Sequence, residues 1–194
     1  MKRGLKIGLA AVLLLAVAAG VVWYSMPIRS EQTVATSGEP AVATPSEVPL
    51  PEDAVIDRLV VHKSKRTMSA YSQGKLLKTY PIALGKQPVG HKHFEGDGKT
   101  PEGKYRINDR NPNSAYHKNL GVSYPNEADK AYAAAHGKSP GGLIKIHGIK
   151  NGWGSIGKRH LQRDWTDGCI AVTDEEIDEL YRSVKHNAEI EILP

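Results

Sequence analysis

Two runs rich in apolar and β-branched residues open the patterned part of the chain, Arg58–Tyr71 (RLVVHKSKRTMSAY) and Leu76–Leu84 (LLKTYPIAL), on either side of Ser72-Gln73-Gly74-Lys75. Runs of this kind around a Gly-containing break predict strands joined by a hairpin loop. Tyr105–Ile107 and Gly142–His147 (GLIKIH) predict two further strands, and the alternation in Ala188–Leu193 (AEIEIL) predicts a closing one. Glu127–His136 predicts a short helix. A stronger helix signal follows Thr173, where Glu176 completes a capping box and Ile177, Leu180, Tyr181 and Val184 form an apolar stripe. The Gly/Pro/Asn-rich stretches Gly85–Gly103 and Asn108–Gly142 are expected as loops, and loops of that length in a compact domain are usually functional.

Ahead of this pattern the hydropathy changes twice. Ile7–Tyr24 (IGLAAVLLLAVAAGVVWY) carries no charge, follows Lys2, Arg3 and Lys6, and ends in Trp23-Tyr24. That is the pattern of an N-terminal transmembrane helix with its basic flank in the cytoplasm. The alternative is a signal sequence cleaved after Ala16-Val17-Ala18, but the apolar residues running on to Tyr24 favour an uncleaved anchor. Both readings export the remainder to the periplasm or an equivalent extracytoplasmic space. Residues 26–53 are rich in Pro, Ser, Thr, Ala and Glu and have no periodicity, as expected of a flexible linker. The expected organisation is therefore an anchor or signal over 1–25, a linker over 26–53 and one domain over 54–194.

Charge narrows the function classes only slightly. The 194 residues carry a formal charge of +5, but discounting Lys2, Arg3 and Lys6 leaves 23 basic against 21 acidic residues, or +2 for the exported part. A nucleic-acid partner is not expected. Cysteine usage says more. Cys169 is the single cysteine, and an unpaired thiol in an exported protein is either buried or used.

A used thiol needs a proton acceptor, donors for an oxyanion and access to substrate. His147 ends the apolar run Leu143–Ile146 and is followed by Gly148, so it sits where a strand meets a loop. Gly168 allows close backbone approach, and the amides of Asp167, Gly168 and Cys169 are candidate oxyanion donors. His160 is a competing base within a charged loop. Lys158, Arg159 and Arg163 read as solvated surface or as contacts for carboxylates, and Trp153 and Trp165 as core or cleft lining. His91-x-His93 has ligand-like spacing but no accompanying Cys or carboxylate cluster, so no metal site is expected.

Taken together, Ile146-His147-Gly148 and Thr166-Asp167-Gly168-Cys169-Ile170 resemble the signature of the bacterial L,D-transpeptidase catalytic domain, a His-Gly pair closing a strand and then Ser/Thr-x-Gly-Cys. Gly96–Tyr105 (GDGKTPEGKY) resembles the family's Thr-Pro-x-Gly-x-Tyr/Phe segment, and the likeness extends over residues 57 to 193. The resemblance implies a mainly β (α+β) fold, an L,D-transpeptidase-like β-sandwich with few short helices. It implies that Cys169 attacks a peptidoglycan stem-peptide carbonyl, that His147 is proton acceptor and donor, and that Gly148, Thr166, Asp167 and Gly168 form the oxyanion and substrate-binding surface. No cofactor is implied.

Three departures stand out. Asp167 stands where His or Ser is frequent, Ala171 stands where Arg or Asn is common, and the 22-residue interval from His147 to Cys169 is longer than usual. They resemble a branch that cuts the link between peptidoglycan and a wall-anchored lipoprotein, which keeps transfer to water open as an alternative outcome.

Overall fold

The computed structural model describes residues 45–194. The expected anchor Ile7–Tyr24 and the first part of the expected linker lie outside the described residues. Among the described residues no helix is long and apolar enough to cross a membrane. The last part of the expected linker is held against the domain: Ser46 N donates to Thr79 O at 3.1 Å, and Leu50 joins the hydrophobic core.

Strands β1 (Ile56–His62), β2 (Thr67–Ser72) and β3 (Lys75–Pro81) form an antiparallel meander. The run expected as one strand over Arg58–Tyr71 is thus two, broken by a turn over residues 63–66 in which Arg66 takes φ +51°. The β2–β3 hairpin turns on Gln73 and Gly74, both at positive φ, as a tight two-residue loop between right-twisted strands requires.

The largest departure from expectation lies in the stretch Asn108–Gly142. Instead of a loop it holds most of β4 (Gly103–Ser114) and β5 (His117–Val122), ahead of the short helix expected there, α1 (Glu127–Ala135). The polar run NDRNPNS hides a strand because its stabilisation comes from the backbone ladder to β5 rather than from a buried face. Pro112, which lacks an amide hydrogen, falls within a register irregularity between Asn111 and Ser114.

Then follow β6 (Lys145–His147), two short 3-10 turns within Gly154–Gln162, β7 (Ile170–Ala171), helix α2 (Asp174–Ser183) and β8 (Val184–Leu193). Both helices carry capping boxes, Asn126 with Asp129 and Thr173 with Glu176. Val184, expected on the α2 stripe, instead begins β8.

The eight strands form one sheet in the order β3-β2-β1-β8-β4-β5-β6-β7. The expected two-sheet sandwich is therefore corrected to a single curled sheet. The long strand β4 is the reason: Gly103–Arg106 pairs with β8 and Ile107–Ser114 with β5, so one strand carries the ladder from one half to the other. Beyond β3 the chain reaches the opposite edge, where Ala83 N donates to Ala171 O at 2.9 Å and Ala171 N to Ala83 O at 2.8 Å.

Helix α2 packs on β5 and β6 and buries Ile177 and Leu180. It is also fastened to β3 through buried Glu179, which accepts from Tyr80 Oη at 2.6 Å and pairs with Lys78 Nζ at 2.9 Å. Burial and the Glu179 carboxylate push the Tyr80 hydroxyl far above its ordinary value, so it stays a donor. Removing one partner from such a buried pair costs about 3–5 kcal/mol.

Candidate active site

Strands β6 and β7 run parallel with Ile146 opposite Ile170 and His147 opposite Ala171, which brings the end of the first motif beside the start of the second. His147 and half-buried Cys169 line one cavity of about 390 Å³, together with Tyr116, Leu143, Lys145 and Trp165. Thr166 and Asp167 line it too, so with Trp165 five of the residues singled out in the sequence meet there.

His147 is only 5 % exposed. Its Nδ1 is 2.7 Å from the Gly148 carbonyl, a contact that requires Nδ1 to carry the hydrogen and leaves Nε2 as the basic nitrogen. The ring packs against Tyr116, with centroids 4.7 Å apart, and edge-on to Trp165 at 5.7 Å. Burial pushes the imidazole below its ordinary pKa, outweighing the contrary effect of the Gly148 carbonyl. Burial pushes the Cys169 thiol above its ordinary value, against the opposing pull of the Lys145 backbone and ammonium. Both groups are therefore neutral near pH 7.

The turn that carries the thiol is built by Thr166. Its Oγ1 donates to Cys169 O at 2.8 Å and accepts from Gly168 N at 3.1 Å. Of the candidate oxyanion donors, the Gly168 amide is thus committed inside the turn. The Gly148 amide is likewise committed, donating to Tyr116 O at 3.1 Å, while a Cβ at position 148 would lie 2.5 Å from Asp174 Oδ1. Asp167 projects outward, its side chain 88 % exposed and paired with Lys86 at 2.7 Å. Upstream, Asp164 anchors the motif by accepting from Leu84 N and pairing with Arg66.

The long segment Gly85–Gly103 backs this turn. Thr100 Oγ1 accepts from Gly85 N at 3.0 Å, and buried Lys63 donates to Gly90 O, Thr100 O and Glu102 Oε1. The Thr-Pro-Glu-Gly stretch therefore belongs to the site as its support.

Sequence reasoning missed three residues. Leu143 holds φ +56°, unusual for a bulky residue, and is 82 % exposed at the cavity mouth while its carbonyl accepts from Cys169 Sγ at 3.6 Å. Tyr116 supplies the face against His147. Asn119 lines the cavity, and its buried Oδ1 has no protein partner. Only the exposed Leu143 within an apolar run left any trace in the sequence. The competing base, His160, is buried outside this cavity with Nδ1 accepting from Trp165 Nε1 at 3.3 Å. In the His91-x-His93 pair, His91 spends Nδ1 on Glu102 N and Nε2 on Asp129, and among the described residues no group of three His, Cys, Asp or Glu is set to hold a metal.

Comparison with known proteins gives the chain a family. Residues 56–192 match the family model YkuD, described as the L,D-transpeptidase catalytic domain. The L,D-transpeptidase YafK of Escherichia coli K12 is 34% identical over 131 residues, covering 64% of this chain and 45% of that protein. The L,D-transpeptidase YkuD of Bacillus licheniformis is 29% identical over 155 residues, covering 80% of this chain and 72% of that protein. The crystal structure of the helical cell shape determining protein Pgp2 from Campylobacter jejuni superposes with a TM-score of 0.54 at 27% identity, covering 72% of this chain and 48% of that one. The chain thus spans a little under half of YafK and Pgp2. With the family model spanning both motifs and the strands that position them, the chain belongs to the L,D-transpeptidase catalytic-domain family.

Proposed function

We propose that the domain modifies peptidoglycan outside the cytoplasm by acyl transfer through a Cys169 thioester. The observation that carries this reading is the shared cavity, in which a thiol from the β7 turn and a histidine from the end of β6 stand together, with His147 Nδ1 fixed on Gly148. Because both are neutral at rest, the proton moves as attack begins: Cys169 Sγ bonds to the stem-peptide carbonyl while His147 Nε2 takes the thiol proton. The carbonyl electrons pass to oxygen, and with Gly168 N committed to Thr166 the oxyanion falls to the amides of Asp167 and Cys169. On collapse the carbon–nitrogen bond breaks, and His147 returns the proton to the departing amine of the D-amino acid.

An acceptor amine then attacks the thioester while His147 takes its proton, and as the carbon–sulfur bond breaks His147 returns that proton to Sγ, restoring the neutral pair. Asn119 lines this cavity, and its buried Oδ1, without a protein partner, would be satisfied by a substrate N–H that reached it. Leu143, at the mouth, offers the apolar contact for a short side chain. The mechanism needs no cofactor. The expected setting is the inner membrane, through Ile7–Tyr24.

The test is muropeptide profiling by mass spectrometry after incubating lipoprotein-bearing sacculi with the protein and with its Cys169→Ala variant. New diaminopimelate-to-diaminopimelate cross-links that depend on Cys169 support the transferase. Loss of links, or release of bound lipoprotein without new ones, overturns amine transfer and assigns water as acceptor. Equal profiles with and without the thiol overturn the nucleophile.

A further inference from the structure

On the far side of Trp165 from the thiol lies a second concave region that the acyl-transfer chemistry does not use. Two adjoining hollows, of about 290 and 740 Å³, share Trp153, Ile156, Arg159 and Arg163 as walls. The smaller also touches Lys150, His160 and Trp165, and Trp165 in turn lines the cysteine cavity. The wall is built by the two 3-10 turns, between which Gly157 takes φ +50°.

Three features of this trough point to a ligand. Trp153, a large apolar side chain, is 62 % exposed in it. Lys150, Arg159 and Arg163 bring three positive charges to it, and among the described residues none has a carboxylate within ion-pair range; Lys158, the neighbouring cation that faces elsewhere, is paired with Glu47. His160, 7 % exposed, uses Nδ1 to accept from Trp165, so its Nε2 carries the hydrogen, and that buried donor has no protein partner. Burial holds its imidazole below its ordinary pKa, which keeps it a neutral donor. Buried donors without partners are rare in folded proteins, and an acceptor from a ligand would satisfy this one.

We propose that the trough is a binding site for the carboxylate-bearing part of a stem peptide, held by Arg159, Arg163 and Lys150 against Trp153 while the reacting carbonyl lies at Cys169. The inference rests on the peptidoglycan reading above and adds to it a place for the acidic part of the substrate. Arginines recognise carboxylates with two parallel hydrogen bonds, and the aromatic floor excludes water from that contact. An anionic membrane surface is the competing partner for a basic, Trp-bearing face. A concave site joined to the thiol cavity through Trp165 fits a small ligand better than a flat one.

The experiment uses the full-length Cys169→Ala protein, which cannot turn over. Titration calorimetry follows the free tetrapeptide L-Ala-γ-D-Glu-diaminopimelate-D-Ala and the same peptide with its carboxyls amidated. The acidic peptide is expected to bind, and the double substitution Arg159→Gln/Arg163→Gln to weaken it at least about tenfold. Arg159→Lys/Arg163→Lys keeps the charge and is expected to lose less, and the amidated peptide is expected to be indifferent to all four changes. Unchanged binding of the acidic peptide by the Gln variant overturns the trough and leaves the cysteine site standing. Unchanged peptide binding together with Arg-dependent loss of binding to phosphatidylglycerol vesicles overturns it in favour of a membrane contact. No tetrapeptide binding by any version overturns the peptidoglycan reading and the trough with it.

Discussion

Gly168 lies against the carbonyl of Lys99 so closely that a Cβ at position 168 would come within 2.6 Å of that oxygen, and its φ of +135° is one that residues with side chains rarely adopt. The turn carrying the thiol is thus pressed onto the segment Gly85–Gly103 backbone to backbone. Neither partner can give way without moving the thiol. Gly168→Ala is expected to destabilise the fold by about 3 kcal/mol, from backbone strain and overpacking together. Urea denaturation measures the loss, and a variant as stable as the original would show that the two segments separate freely.

Thr166 connects the same turn internally, so its hydroxyl and its methyl can be tested apart. Thr166→Val keeps the shape but strands Gly168 N and Cys169 O, each of which loses its Oγ1 partner. A cost of about 1–3 kcal/mol follows from the buried groups left unpaired. Thr166→Ser restores the hydroxyl and is expected to recover most of both stability and rate. If Ser and Val behave alike in denaturation and turnover, the hydroxyl is not what shapes the turn.

The neutral resting state of Cys169 and His147 fixes the pH dependence of the thiol. Burial raises the thiol and lowers the imidazole, so no thiolate–imidazolium pair is stored in advance. Alkylation of Cys169 by iodoacetamide is expected to be slow at pH 7 and to level off only above the ordinary thiol range, which lies at about pH 8.5. With His147 as the proposed base during attack, turnover is expected to hold level through neutral pH and to fall only below about pH 6.5, as the imidazole takes up a proton. Rapid alkylation at pH 6 would reveal a preformed ion pair instead.

Stability follows the same burial with a definite sign. His147 and His160 both have folded-state pKa values below the unfolded one, each through burial first. As pH falls through about 6.5 the unfolded chain therefore binds protons before the folded one. The stability is fully present above that value and is lost progressively towards the lower folded-state values. Denaturation midpoints between pH 8 and pH 5 are expected to fall, and His147→Gln, which cannot titrate, is expected to flatten part of that slope.

What could be read from the sequence is what depends on local chemistry. The capping box at Thr173 and Glu176, the Gln73-Gly74 hairpin and the two signature segments each state their structure within a few residues. The elements that escaped depend on distant partners. β4 carries a polar face over Asn108–Asn113 because β5 supplies its hydrogen bonds, and the break at 63–66 was obscured because Lys63, polar by type, is buried. In the site, His147 and Cys169 announce themselves by residue type. Tyr116 and Asn119 do not, because they come from a hairpin hidden in a stretch rich in Asn and Pro.

Lys63 shows how far from the thiol the site is supported. Its ammonium, on a side chain 3 % exposed, donates to Gly90 O at 2.7 Å, Thr100 O at 2.8 Å and Glu102 Oε1 at 2.9 Å, so one cation ties two parts of the backing segment to the turn that follows β1. Burial lowers its pKa, against the pull of Glu102. Within the segment a second clamp holds: burial would raise Asp97, but Lys92 and the amides of Phe94, His93 and Lys99 outweigh it and keep the carboxyl at about 2. Lys63→Met fills the same space and strands two carbonyls and a carboxylate, at a cost of about 3–5 kcal/mol. Because Gly98 and Lys99 press on Gly85 and Gly168, the loosened segment is expected to release the turn, so turnover falls although Lys63 never faces the cavity. Amide hydrogen exchange decides the point: faster exchange over residues 85–103 with that over β1 unchanged supports this chain of support, whereas unchanged exchange there would mean that Lys92 and Asp97 suffice to hold the segment in place.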